Sequence, residues 1–242
     1  MDRWRHYTTL ARARYRHHVL GKSETDPRVL LMDAARAVYV PVPKAANSSV
    51  KLALAPVLGV DPATITEVQK DPRLPMVRFS EIADRLTPDW FVFTVTRDPW
   101  TRSYSAWRDK VIRQEARLRA LHAMGIQPGD DFETFLRVLS RWPRKMLNDH
   151  FIPQADLLED PMAHGPVEIV KSEDLPKIWP QIADRIAANG VPRPAPIGVA
   201  NQSGPRTRPD LSPAEQALIK ALYADDFTTF GYSAEGSGDA EA

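Results

Sequence analysis

Apolar positions along the chain fall into short continuous runs separated by segments of helical period. Ala37 to Val42 (AVYVPV) is a β-prone run closed by Pro43, and Trp90 to Thr96 (WFVFTVT) is longer and rich in β-branched and aromatic residues. Runs without polar alternation are the pattern of strands covered on both faces, as in a parallel sheet. Glu168 to Val170 (EIV) reads as a third such strand. Helical spacing follows each: Ser48 to Leu58 after the first, a segment from Pro99 to at least Val111 after the second, and Leu175 to Ala188 after the third. Asp98 and Pro99 form a strong helix start, because Asp caps the free N–H groups and Pro suits the first helical position. A closing helix is expected from Pro213 to about Tyr223, with Ser212 and Glu215 at its start. Strand, loop and helix in repeated order predict an α/β fold, a P-loop-like, mainly parallel sheet flanked by helices.

The ends differ from this pattern. Trp4, Tyr7, Leu10, Tyr15 and Val19 fit one face of a basic helix over Trp4 to Leu20, and two readings stand: docking onto the core, or peripheral contact with an anionic membrane surface. Ser233 to Ala242 is small and acidic, the composition of a frayed tail. Pro192 to Pro209 is rich in Pro and Gly and reads as an extended loop. With 242 residues and 43% hydrophobic content, a single domain over residues 1–232 is expected, followed by the tail.

Charge narrows the function classes. Thirty-two Lys and Arg against 31 Asp and Glu leave +1, so no global field draws the protein to nucleic acid, and an anion site must be local. There is no cysteine, which excludes a thiolate metal site and a cysteine nucleophile. No stretch approaches the roughly 18 apolar residues of a membrane span, and the N-terminus lacks the apolar core of a secretory signal. The expectation is a cytoplasmic protein.

Two segments carry chemistry. PVPKAANSSVK, from Pro41 to Lys51, lies where a strand gives way to a helix. Helix N-termini present unpaired N–H groups and partial positive charge, and Ala45, Ala46, Asn47, Ser48 and Ser49 are small enough to let backbone approach an anion beside Lys44. The loop has no glycine and does not match the ordinary nucleoside triphosphate motif. It is either a phosphate or sulfate cradle or a helix start capped by Asn47 or Ser48. The second segment is TVTRDPWTRSYSAWRDK, Thr94 to Lys110, in which Arg97 leaves the carboxyl end of a central strand and Ser105 follows two turns into a helix. Open α/β sheets bind ligands at that edge, and a guanidinium suits bidentate phosphate recognition. The other reading pairs Arg97 with a carboxylate.

PVPKAANSS, followed 53 residues after Lys44 by Arg97 in VTRDPWTRSYSAWRDK, resembles the paired nucleotide motifs of the carbohydrate sulfotransferases that use 3′-phosphoadenosine 5′-phosphosulfate (PAPS), in the branch of the chondroitin, HNK-1 and heparan sulfate 2-O enzymes. NDHFIPQADLL (Asn148 to Leu158), EIVKSEDL (Glu168 to Leu175) and YADDFTTFGY (Tyr223 to Tyr232) resemble later landmarks in the same order. The resemblance implies that Lys44 and Ala45 to Ser49 hold the 5′-phosphosulfate, with Lys44 also neutralising the departing bridging oxygen, and that Arg97 and Ser105 hold the 3′-phosphate. It implies PAPS as co-substrate, no metal, and a glycan, glycolipid or small-molecule hydroxyl as acceptor. Many eukaryotic relatives are membrane-anchored and carry disulfides; their absence here makes a bacterial cytoplasmic enzyme the expectation.

A histidine expected between the two motifs is missing from DPRLPMVRFSEIADRLTPD. His150, in NDHFIPQ, is the candidate base, since imidazole can accept a hydroxyl proton near neutrality. Its other reading is structural, and Glu81 is a second candidate. Two further functions stand beside sulfuryl transfer: a kinase-like phosphotransferase with Lys44 on a nucleoside triphosphate and Asp98 near magnesium, and a nucleotide binder without catalysis.

Overall fold

The computed structural model describes residues 26–113, 119–198 and 208–235, which fall into two compact units. The basic helix expected over Trp4 to Leu20 lies outside the described residues, as do residues 236–242 of the tail.

One unit comprises residues 26–97 and 158–198 and contains a five-stranded sheet of order β3-β1-β2-β4-β5. Its strands are β1 (Arg28–Met32), β2 (Ala37–Val40), β3 (Met76–Arg78), β4 (Phe91–Thr96) and β5 (Glu168–Lys171). The three runs expected from the sequence form the parallel part: β2 pairs with β4 and β4 with β5, both parallel. Every residue of β2 is inaccessible to solvent, as are Phe93, Thr94, Val95 and Thr96 of β4, which is why these strands read as unbroken apolar runs. Two strands were not expected. β1 pairs antiparallel with β2 and with β3, so the sheet is mixed. A tight connection through Arg36, at φ 46, turns β1 into β2. β3 has three half-buried residues on the sheet edge, too few to show a period.

Helix α1 (Asn47–Leu54) follows β2 and tightens into a 3-10 turn over Ala55–Leu58. A later helix, Leu175–Ala187, directs Leu175, Trp179, Ile182, Ala183 and Ile186 inward at helical spacing. Trp179 Nε1 donates to the carbonyl of Ala195 at 2.8 Å, and the Ala195 N–H donates to the carbonyl of Ala53 at 2.8 Å. The first part of the Pro-rich loop is thereby fastened to both helices; residues 199–207 lie outside the described residues.

The second unit comprises the described residues within 98–157 and 208–235. Helix α2 (Pro99–Trp107) begins as the sequence predicts, with Asp98 Oδ1 accepting from the N–H groups of Trp100 (2.9 Å) and Thr101 (3.2 Å). It continues as a π-turn over Arg108–Ile112. Helices α3 (Arg119–Met124) and α4 (Phe132–Leu139) come next. The α4 face of Phe132, Phe135, Leu136 and Leu139 is buried, with Phe132 edge-on to Tyr104 at 5.2 Å and Phe135 edge-on to Phe151 at 5.1 Å. Helix α5 spans Gln154–His164, and the Leu175–Ala187 helix is α6. Helix α7 (Pro213–Leu222) carries the expected capping box between Ser212 and Glu215, and α8 (Ala224–Phe230) ends at Gly231 with φ 62. The start of the expected tail is held: Trp100 Nε1 donates to the carbonyl of Ser233 at 3.0 Å, and Arg208 Nη1 to that of Glu235 at 2.6 Å.

A buried polar network organises this unit. Arg102 is 1% exposed and donates through Nη1 to the carbonyl of Ile152 at 3.0 Å. Asp226, fully buried, accepts from the Ala155 N–H at 2.8 Å and from Gln154 Nε2 at 3.2 Å, while the Tyr223 hydroxyl donates to the carbonyl of Phe151 at 3.2 Å. Burial pushes the Arg102 guanidinium down, opposed by the charge of Asp226, and pushes the Asp226 carboxyl up, opposed by Arg102. NDHFIPQ and YADDF are thus joined through α2. Asp226→Ala removes the acceptor of Ala155 and Gln154 and the charge that favours the buried Arg102 cation. It is expected to cost about 1–3 kcal/mol in denaturant unfolding, the scale for leaving buried donors without their acceptor, with Asp226→Asn costing less.

Candidate functional site

The segment between β2 and α1 is held open by unusual backbone. Lys44 and Ala46 both take left-handed conformations, φ 69 and 56, each costing a non-glycine residue about 1–2 kcal/mol. The turn is closed by the Ala45 N–H donating to the carbonyl of Val42 at 3.2 Å. Left-handed residues alternating with ordinary ones turn successive N–H groups toward one side, the arrangement that makes an anion-binding concavity. Strain kept without a glycine to relieve it is characteristic of binding loops.

Helix α1 supplies the rest. Its N-cap is Ala46, which offers no side-chain acceptor, so the helix starts without the side-chain cap that usually serves its first N–H groups. Capping by Asn47 or Ser48 is therefore corrected: both lie inside the helix, and their side chains engage Gln69 instead. Gln69 Nε2 donates to Ser48 Oγ at 3.0 Å, and Gln69 Oε1 accepts from Asn47 Nδ2 at 3.4 Å and from Lys51 Nζ at 2.9 Å. Asn47 Oδ1 is enclosed without a hydrogen-bond partner, an incomplete polar environment of the kind that a ligand or water fills. Ser49 is buried one position further on.

Arg97, one residue beyond β4, reaches this loop. Its Nη1 donates to the carbonyl of Lys44 at 3.1 Å, so two residues 53 positions apart are brought into contact and the left-handed Lys44 is clamped from the strand side. Lys51, on α1, is 4% exposed, and burial lowers its ammonium to about 8. In sequence Lys51 closes the PVPKAANSSVK motif without an evident role, and Gln69 lies outside it. The i, i+4 relation of Asn47 and Lys51 on one helix face was the available signal for the first; nothing in the sequence distinguishes Gln69.

Ser105 and His150 belong to the other unit. Ser105 sits on α2 and is fully buried. His150 Nδ1 lies 2.8 Å from Asn148 Oδ1 and 2.7 Å from Asp149 Oδ1. With Nδ1 donating to these oxygens, Nε2 is the acceptor nitrogen, the tautomer that a general base requires. Desolvation pushes the Asp149 carboxyl up, but its bonds to His150 and the charges of His150 and Lys110 hold it below its ordinary value. Asp98 is committed to structure: besides capping α2, its Oδ2 accepts from Arg208 Nη2 at 3.1 Å. That leaves it poorly suited to the magnesium role that the kinase-like reading gives it. Glu81 carboxylate is likewise engaged, by the Arg78 N–H at 3.3 Å. Among the described residues, no group of His, Asp and Glu is gathered as metal ligands, and no helix is long and apolar enough to cross a membrane.

The model of the sulfotransferase family matches residues 27–233, a span that takes in the strained loop, Arg97, Ser105 and His150. The chain belongs to the sulfotransferase family. Searches among curated proteins and among solved structures returned no match.

The depressed ammonium of Lys51 has a thermodynamic consequence. Below pH 8 it is charged in both folded and unfolded chains, and its burial opposes folding. Between about 8 and its ordinary value of 10.5, the unfolded chain binds the proton and the folded chain does not, so this residue's contribution makes stability rise with pH. Lys51→Met is expected to raise the melting temperature of the ligand-free protein at pH 7 and to flatten its pH dependence between 8 and 10.5, as read by scanning calorimetry.

Proposed function

We propose that the protein transfers a sulfuryl group from PAPS to a hydroxyl of a carbohydrate, glycolipid or small-molecule acceptor, as in the carbohydrate branch of its family. The carrying observation is the glycine-free loop: left-handed at Lys44 and Ala46, leading into a helix without a side-chain cap, and clamped by Arg97. Backbone N–H, Lys and Arg are donors with no acceptor capacity, so this set suits an anion and disfavours a neutral ligand. PAPS carries two such groups, a 5′-phosphosulfate for the loop and Lys44, and a 3′-phosphate for Arg97 and Ser105.

In the reaction the acceptor oxygen forms a bond to sulfur as the bond from sulfur to the bridging phosphate oxygen breaks. The proton leaves the acceptor hydroxyl for His150 Nε2, whose ring is oriented through Nδ1 by Asp149 and Asn148. Lys44 neutralises charge on the departing bridging oxygen, and the loop N–H groups hold the phosphate in place. Sulfuryl transfer, like phosphoryl transfer, passes through a charge-dispersed in-line transition state, so positioning and electrostatics supply most of the catalysis. A cytoplasmic setting and an intracellular hydroxyl acceptor complete the reading.

Calorimetric titration with adenosine 3′,5′-bisphosphate tests the donor site. Binding should survive chelation of divalent ions, exceed that of ATP, and weaken about 10- to 100-fold in Arg97→Ala, the scale of lost charge-assisted hydrogen bonds. Lys44→Ala should fall mainly in kcat. Preference for ATP that depends on magnesium would overturn the proposal in favour of phosphotransfer. His150→Asn should keep donor binding and lose the acidic limb of the kcat pH profile; a variant with the wild-type profile would remove His150 from the mechanism.

A further inference from the structure

Lys51 is a cation enclosed by the fold, and among the described residues it has no carboxylate partner. The residue is 4% exposed, and its ammonium donates to a neutral amide, Gln69 Oε1 at 2.9 Å. The charged groups on the segments hydrogen-bonded to α1 and its loop do not neutralise it. Lys44 and Arg97 carry the same sign, Glu67 pairs with Lys70 at 2.6 Å, and Arg193 pairs with Asp184 at 2.7 Å. Burying an unpaired ammonium opposes folding unless something bound repays it. The same Gln69 that holds Lys51 also donates to Ser48 Oγ and accepts from Asn47 Nδ2, so the buried charge is mechanically joined to the first turn of the anion loop.

We propose that Lys51 and Gln69 are positioning residues of the donor site: Gln69 ties the buried Lys51 ammonium to the Asn47–Ser48 turn, and the missing counterion is the sulfate or phosphate group that the loop binds. This rests on the reading of the loop as the donor site. The pair acts through the loop: Lys51 contributes charge from beneath it, and Gln69 keeps the turn in register with that charge. An anion on the loop stabilises the protonated ammonium. Because burial has lowered it to about 8, binding above that pH draws a proton from solvent, and affinity declines as pH rises further. Gln69 bears no charge, and that neutrality is part of the device: a carboxylate in its place would neutralise Lys51 internally and remove the unmet demand for an anion.

The test compares wild type, Lys51→Met, Lys51→Arg, Gln69→Leu and Gln69→Glu, each first checked for folding by thermal melting. All are titrated with adenosine 3′,5′-bisphosphate and with inorganic sulfate at pH 7 and pH 9, in buffers of different ionisation enthalpy. Wild type should take up most of a proton on binding at pH 9, and Lys51→Met none. Lys51→Met and Gln69→Glu should bind about 10- to 100-fold more weakly at pH 7, and Lys51→Arg should retain binding without the proton uptake. Gln69→Glu separates this role from a merely structural one, because its melting temperature should be equal or higher while its affinity falls. Unchanged affinity in Gln69→Glu, or proton uptake persisting in Lys51→Met, overturns the proposal. Sulfate binding that depends on Lys51 and Gln69, with no binding of the bisphosphate to wild type, refutes the donor reading and leaves the pair standing; failure to bind either ligand refutes both.

Discussion

The parallel pairing of β2 with β4 is the contact from which the geometry of the loop between β2 and α1 follows. Its register, from Ala37 opposite Phe91 to Val40 opposite Thr94, brings the carboxyl ends of two strands distant in sequence side by side. Both strands are buried, and their alignment is stiffened by the Thr94 hydroxyl donating to the carbonyl of Val40 at 2.7 Å and by Tyr39 and Phe93 packing at 5.2 Å on one face. A slip of one residue would turn every one of these side chains to the opposite face. With the register held, Arg97 emerges beside the turn that leaves β2 and can grip the carbonyl of Lys44.

That turn is costly, and its costs share one direction. Two non-glycine residues are left-handed, a helix begins without a capping side chain, a carboxamide oxygen is enclosed without a partner, and a lysine is buried beside a neutral amide. Each opposes folding by itself; the uncapped helix start and the buried lysine are the two that a bound anion relieves, while the carboxamide oxygen calls for a donor. Local departures from stability rules that agree in this way mark a functional site more firmly than any one of them. The surrounding sheet, with its dense apolar packing, supplies the stability that keeps such a loop populated.

The second unit places its polar residues differently. Arg102 and Asp226 are spent on internal satisfaction, and Asp98 on a helix cap and on Arg208. These residues give the segments RDPWTR, NDHFIPQ and YADDF their family-like appearance, yet their work is architectural: they join α2, the start of α5 and α8 through buried hydrogen bonds. His150 stands apart among them, with one ring nitrogen oriented by its neighbours and the other the acceptor.

β2 and β4 could be read from the sequence because both faces of each are covered, which makes the run continuous, whereas β5 lies on the sheet edge with Val170 as its buried residue. Asp98–Pro99 and Ser212–Glu215 could be read because helix caps are local chemistry. Lys44 and Arg97 were legible as a pair through the resemblance of their two motifs to those of a known family. β1 and β3 were not, for four apolar residues or three half-buried ones carry no period. Whether Asn47 and Ser48 cap the helix also depended on where another segment lies, because a hydroxyl or amide bonds whichever partner tertiary folding brings within about 3 Å. Gln69 shows this most plainly: among polar residues of a connecting segment it is indistinguishable in sequence, and only the return of that segment against α1 places it between Ser48, Asn47 and Lys51. The chain's local patterns determined which residues form strands, helices and a small-residue loop; the tertiary structure decided which charges were buried, which were paired, and which was set beside a neutral amide, because burial and pairing belong to contacts between segments and not to any segment alone.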